Sequence, residues 1–144
     1  MPPPVPPGLY AHVPFCPRRC PYCDFYSIAG PGPGQAGLYL AGLGRELDLA
    51  LRPGPAPRAA PARDGVPCRE SGPAGGPWDG PFGSLYLGGG SPSALPPEAV
   101  RGVFSVLGRL PLSEGAEVTL EANPQDVTRA KCALWRELGV TRLS

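Results

Sequence analysis

The chain carries little charge. Asp, Glu, Lys and Arg make up 17% of its 144 residues, and the formal net charge is +1. A protein that binds nucleic acid by neutralising phosphates needs a basic excess, and this sequence has none. No apolar run approaches the ~20 residues needed to cross a bilayer. The opening Met-Pro-Pro-Pro-Val-Pro-Pro has no basic n-region and no apolar h-region, so a secretory signal is not expected and the cytoplasm is the default compartment. Cysteine is sparse and odd in number, at 5, which argues against a disulfide framework. Proline and glycine are in excess, with 23 and 21 residues. Such a share often marks low complexity. Here it is uneven, hydrophobic residues still reach 42%, and one domain with a real core is expected.

Residues 1–7 are expected to be disordered, and 8–144 to form the domain. Residues 8–13 read as a strand, with Leu9, Ala11 and Val13 alternating with Tyr10 and His12. Pro14 ends it, and a cysteine-bearing loop follows. Across residues 35–51, Leu40, Leu43, Leu47 and Leu51 recur at helical spacing, weakened by Gly42 and Gly44. Residues 53–83 keep no hydrophobic period and are expected to be a flexible insertion, with Cys68 an incidental loop residue. A second strand is expected at 84–87, running into Gly88-Gly89-Gly90-Ser91-Pro92-Ser93. Pro97 suits a first helical position and Glu98 the first turn, and Val100, Val103, Phe104 and Leu107 give that helix an apolar face. Residues 117–121 read as a third strand ended by Asn123-Pro124. A third helix is expected from about Thr128, its N-cap, to Leu138, with Gly139 at C′ and Cys132 partly buried. Residues 140–144 read as the opening of a fourth strand.

Strands alternating with helices predict an α/β fold with parallel strands and right-handed crossovers. Ligands in such folds collect at the carboxyl ends of the strands. The cysteine loop, the glycine-rich loop and Glu121-Ala122-Asn123-Pro124 each follow a strand.

Cys16, Cys20 and Cys23 have C-x3-C-x2-C spacing in a loop stiffened by Pro17 and Pro21. Thiolates are the usual protein ligands of iron–sulfur clusters, and three of them leave one corner of a four-iron cluster open for a small molecule. Zinc is the competing reading, with His12 completing a Cys3His site. Structural zinc loops, however, usually pair C-x2-4-C knuckles from separate elements. Arg18 and Arg19 read as solvated loop charges.

The stretch Tyr10-Ala-His-Val-Pro-Phe-Cys16-Pro-Arg-Arg-Cys20-Pro-Tyr-Cys23-Asp-Phe25 resembles the signature of radical S-adenosylmethionine proteins. More narrowly, it resembles the group containing oxygen-independent coproporphyrinogen III oxidase and HemW-type haem chaperones. Leu87-Gly-Gly-Gly-Ser91-Pro92-Ser93, Leu120-Glu121-Ala-Asn-Pro124 and Gly139-Val-Thr-Arg-Leu-Ser144 are similar to motifs of that group in the same order. The resemblance implies the N-terminal half of a partial (β/α)6 barrel related to TIM barrels. It implies a [4Fe–4S] cluster on Cys16, Cys20 and Cys23, with the amino and carboxylate groups of S-adenosylmethionine on the open iron. Gly89, Gly90 and Ser91 would line the methionine end, and Glu121 would bond its ammonium. Tyr10 would lie near cluster and sulfonium, and backbone from Tyr22 to Phe25 would meet the adenine. Tyr10 and His12 are the catalytic candidates.

Within the group, coproporphyrinogen oxidases carry a further cysteine two residues after the third, where this chain has Phe25. The Asp24-Phe25 pair resembles the chaperone branch, which implies haem as ligand and an acceptor protein as partner. The oxidase, acting on a porphyrinogen, is the alternative, and a zinc-binding interaction module is the third reading. Ser91 stands where the group usually has Thr, and Thr141 where Asn is usual. The chain stops as the fourth strand begins. It is therefore read as a truncated form, expected to be poorly stable and inactive alone because of its exposed edge strand.

Overall fold

The structure, a computed structural model, describes residues 6–32, 34–50 and 81–144. Residues 1–5, Leu51, Cys68 and most of the expected insertion lie outside the described residues. Among the described residues, six strands and three helices follow in order: β1 Gly8–Val13, β2 Phe15–Cys16, β3 Ile28–Ala29, α1 Gln35–Ala50, β4 Phe82–Gly89, α2 Pro97–Leu107, β5 Leu112–Leu120, α3 Arg129–Glu137 and β6 Arg142–Leu143. The main sheet has the order β1-β4-β5-β6, with every pair parallel. This is the α/β architecture that the alternating pattern predicts.

One face of the sheet is covered by helices. Ala11 and Val13 of β1, Leu85 and Leu87 of β4, and Val118 and Leu120 of β5 point into that core. They meet Leu47 of α1, Val100, Val103 and Leu107 of α2, and Leu134 and Trp135 of α3. Leu40 and Leu43 pack partly buried beside Leu47, as the helical spacing predicts. A Cβ on Gly102 would come 2.6 Å from Leu40 Cδ1, so this glycine lets α1 and α2 approach closely. Pro97 opens α2 with Glu98 in its first turn. At α3, Thr128 Oγ1 accepts the Lys131 N–H as an N-cap. Gly139, at φ +89°, ends that helix: its N–H bonds to Arg136 O and the Val140 N–H to Trp135 O, the pair of a Schellman turn.

Several boundaries differ from the sequence reading. The second strand begins at Phe82, inside the expected insertion, and extends to Gly89. The glycines give no side-chain pattern, yet their backbone pairs in register with His12 and Val13. The third strand begins five residues early, at Leu112, and ends at Leu120; a register shift between Phe82 and Ser84 and the positive φ of Gly115 mask its alternation. Pro14 ends β1, as expected. The chain runs on into β2, which pairs in parallel with β3. Pro7, expected within a disordered stretch, accepts the Gly83 N–H through its carbonyl. No helix among the described residues is long and apolar enough to cross a membrane.

Tyr39 ties α1 to the sheet. Its hydroxyl donates to His12 O at 2.8 Å, and its ring meets Phe15 edge-on. Burial, with a smaller contribution from the Glu46 charge, pushes its phenol from the ordinary 10.0 up to about 12. The unfolded chain therefore loses this proton first as the solution becomes alkaline, so stability falls as pH rises from about 10 towards 12. Tyr39→Phe is expected to flatten that slope in urea titrations at pH 9 to 12 and to cost about 1 kcal/mol at neutral pH through the lost hydrogen bond.

Candidate functional site

Parallel sheets are normally covered on both faces. Here the face away from the helices is polar. Register places Tyr10, Tyr86, Thr119 and Arg142 in one row across the four strands. Tyr10 stacks on Tyr86 with centroids 5.8 Å apart. Glu117 accepts from Thr119 Oγ1 at 3.0 Å and from Arg142 at 3.1 Å, and these bonds hold its carboxyl below the usual range. One step nearer the carboxyl ends stand His12, Gly88 and Glu121.

Glu121 is the acidic centre of this end. One carboxylate oxygen accepts from the Tyr86 hydroxyl and the other from the Gly89 N–H, both at 2.9 Å. Partial burial, then the charge of Glu121, raises the Tyr10 phenol above its ordinary value. The glycines make the close approach possible. A Cβ on Gly88 would stand 2.8 Å from Glu121 Cδ, and one on Gly89, which has φ +116°, 2.5 Å from the His12 ring.

His12 holds the neighbouring loop. Its Nε2 lies 2.9 Å from Tyr26 O. A carbonyl only accepts, so Nε2 carries the proton and Nδ1 is left to face the Tyr10 hydroxyl at 3.5 Å. Both ring nitrogens are thus turned to partners other than the cysteines, which disfavours a Cys3His site.

The cysteine loop is closed at its base by the β2–β3 pairing, with Ile28 N–H on Pro14 O and Gly30 N–H on Cys16 O. Cys16, Cys20 and Cys23 are free thiols, each partly exposed, and the Cys23 N–H turns back onto Cys20 O at 3.1 Å. A hydrogen bond to Cys20 leads the effects that raise the Tyr22 phenol above its ordinary value. Tyr22 and Phe25 are exposed and line a groove of about 420 Å3 with Cys23 and Asp24. Arg18 and Arg19 are exposed, as expected of solvated charges. Among the described residues, no three His, Cys, Asp or Glu side chains form a ready-made single-ion site. Three thiols on a loop with a fastened base are nonetheless a donor set suited to a cluster.

The glycine loop docks directly on this base. The Gly90 N–H donates to Val13 O and the Ser91 N–H to Phe15 O, both at 2.7 Å, and Ser91 Oγ comes 3.9 Å from Cys16 Sγ. A cleft of about 270 Å3 lies between Gly90, Ser91, Glu121, Asn123 and Ser144. A larger apolar groove of about 540 Å3 runs along the outer edge of β1 beside α1; it shares Tyr10 and His12 but touches neither the cysteines nor Glu121. The fold thus brings together Tyr10, His12, Cys16, Gly89, Gly90, Ser91 and Glu121, with Cys20, Cys23, Tyr22 and Phe25 on the loop beside them. Sequence reasoning missed Tyr86, and it placed Asn123 in a suggestive segment without giving it a role. Tyr86 could have been found from its position two residues before the glycine run, on the same face as Tyr10.

No family model matches the chain. Among curated proteins it is 32% identical to the heme chaperone HemW of Escherichia coli over 138 residues, covering 95% of this chain and 30% of that protein. It is 33% identical to the heme chaperone HemW of Mycobacterium tuberculosis H37Rv over 140 residues, 95% of this chain and 30% of that one. It is 31% identical to the oxygen-independent coproporphyrinogen III oxidase of Paracoccus denitrificans over 138 residues, 95% of this chain and 26% of that one. Among solved structures it is similar to coproporphyrinogen III oxidase (HemN) of Escherichia coli, a radical SAM enzyme, with TM-score 0.69 and 23% identity over 96% of this chain and 27% of that one. Its homologues are HemW heme chaperones and coproporphyrinogen oxidases, and its fold matches the N-terminal part of the HemN barrel. The chain spans about 30% of the length of the HemW relatives it matches.

Proposed function

We propose that this chain is the cofactor-binding part of a radical S-adenosylmethionine protein of the HemW haem-chaperone type. The observation that carries the reading is the convergence at one end of the sheet. The cysteine loop, the glycine loop and Glu121 follow three different strands, and two 2.7 Å backbone bonds lock the first two together. In this reading residues 8–144 are the radical S-adenosylmethionine core. Cys16, Cys20 and Cys23 hold a [4Fe–4S] cluster, which when bound supplies the electron that cleaves the sulfonium of S-adenosylmethionine. Gly89, Gly90 and Ser91 line the methionine end and let backbone approach the cofactor. Glu121 accepts a charge-assisted bond from the cofactor's ammonium. Tyr10 stands beside the sulfonium, and Tyr22 to Phe25 flank the adenine. His12 acts by holding the cysteine loop through Tyr26. A cytoplasmic setting belongs to the same reading, because three thiolates kept for iron need a reducing compartment.

Phe25, where an oxidase would have a further cysteine, supports a chaperone that binds haem and passes it to an acceptor protein. The oxidase reading is the second, supported by the 31% identity to the Paracoccus enzyme. Anaerobic reconstitution with iron and sulfide tests the common core. The wild-type chain is expected to take up labile sulfide, and its spectrum to change on addition of S-adenosylmethionine. Cys20→Ala is expected to lose both responses. Zinc without labile sulfide would refute the reading. Titration with haem and with coproporphyrinogen then separates chaperone from oxidase.

A further inference from the structure

Ser93 is 1% exposed, and its hydroxyl and carbonyl tie the glycine loop to the loop after β5 and to α3. Its hydroxyl donates to Asp126 Oδ2 at 2.8 Å and accepts the Asn123 N–H at 3.0 Å. Its carbonyl takes Lys131 Nζ at 2.6 Å, and that ammonium also lies 3.7 Å from Asp126 Oδ1. Lys131 is the one lysine in the chain. It sits in the first turn of α3, where the helix dipole opposes a cation, so its charge is stabilised by partners on the other loops and not by its own helix. The chain of contacts continues towards the site. Asn123 Nδ2 reaches Ser91 Oγ at 3.2 Å, and Ser91 Oγ reaches Cys16 Sγ at 3.9 Å.

We infer that Lys131, Asp126 and Ser93 form a positioning unit that fixes the width of the cleft between Ser91 and Glu121, and so sets affinity for the amino-acid end of S-adenosylmethionine. The inference rests on the proposed reading of that cleft. None of the three is a catalytic residue; each acts through Asn123 and Ser91. Ser93 joins the two loops, Asp126 holds Ser93 and neutralises Lys131, and Lys131 pulls the glycine loop onto α3.

The test uses the reconstituted chain as wild type, Lys131→Met, Lys131→Arg and Ser93→Ala. Lys131→Met is expected to keep wild-type iron and sulfide but to bind S-adenosylmethionine about tenfold more weakly, the scale of one lost charged hydrogen bond. Lys131→Arg, which keeps the cation, should recover affinity to within about threefold of wild type. Equal affinity in Lys131→Met and wild type overturns the inference. So does equal weakening in Met and Arg variants, which would mean that the side chain only fills space. If Lys131→Met does not fold, Ser93→Ala decides, with unchanged affinity again refuting the unit. A second readout needs no cofactor: acylation of Lys131 by an amine-selective ester should be slower than that of a free lysine amide, and reaction at the free rate overturns the inference. A wild-type chain that takes up no sulfide refutes the proposed function instead, and acylation still judges the positioning unit.

Discussion

Gly90→Ala is expected to destabilise the chain by about 2–4 kcal/mol, the range of an overpacked core position with broken backbone bonds. An added Cβ would lie 2.5 Å from Phe15 O, 2.8 Å from Phe15 C and 2.9 Å from Pro14 C. These are backbone atoms with no rotamer to change. The two segments cannot part either, because the Gly90 and Ser91 N–H groups are bonded to Val13 O and Phe15 O. Phe15 itself is buried. The substitution must therefore either break the backbone bonds or displace the base of the cysteine loop. Urea unfolding measures the loss, and reconstitution should show reduced sulfide uptake as the loop base shifts. Gly42→Ala is the control, since a Cβ there meets nothing within 4 Å and removes a helix-interior glycine, which should stabilise by about 0.5–1 kcal/mol. An unchanged midpoint for Gly90→Ala would mean that the glycine loop does not rest on the cysteine loop.

Much of the fold was legible because helix and strand periods are local. The stripe of Leu40, Leu43 and Leu47, the Thr128 cap and the Gly139 stop each follow from a few adjacent residues. The placement of three chemically suggestive loops at strand ends was legible for the same reason. Contacts made across long sequence gaps were not. The β2–β3 pair is two residues long on each side, too short for any pattern to show. Gly88 and Gly89 read as loop because they have no side chains, and only the register with His12 and Val13 makes them strand. The Ser93–Asp126–Lys131 unit joins residues up to 38 positions apart, and a serine and lysine of ordinary appearance gave no hint of it. Among the proposed cofactor contacts, sequence supplied Glu121 as a carboxylate at a strand end. That Tyr86 and the Gly89 N–H hold both of its oxygens is visible only in three dimensions.

That double anchoring separates the charge of Glu121 from its structural part. In Glu121→Ala the Gly89 N–H, in a buried residue, loses its acceptor, and an orphaned buried donor costs about 1–3 kcal/mol. The Tyr86 hydroxyl loses its partner as well, but it can turn towards solvent because Tyr86 is only partly buried. Glu121→Gln leaves the shape intact. Its amide oxygen can face the Gly89 N–H while its NH2 group donates to the Tyr86 hydroxyl, which can act as acceptor. The glutamine variant is therefore expected to unfold within about 0.5 kcal/mol of wild type, as a substitution that breaks no packing or buried bond. On the proposed reading, in which Glu121 meets the ligand ammonium, its affinity for S-adenosylmethionine should nonetheless fall about 10- to 100-fold, the worth of a charge-assisted bond in a sheltered cleft. The two measurements must come apart in this way: alanine loses stability and affinity together, glutamine affinity alone. If glutamine binds the nucleotide as tightly as wild type, the carboxylate does not meet the ammonium. Its role is then confined to fastening β5 to β4 through Gly89 and Tyr86.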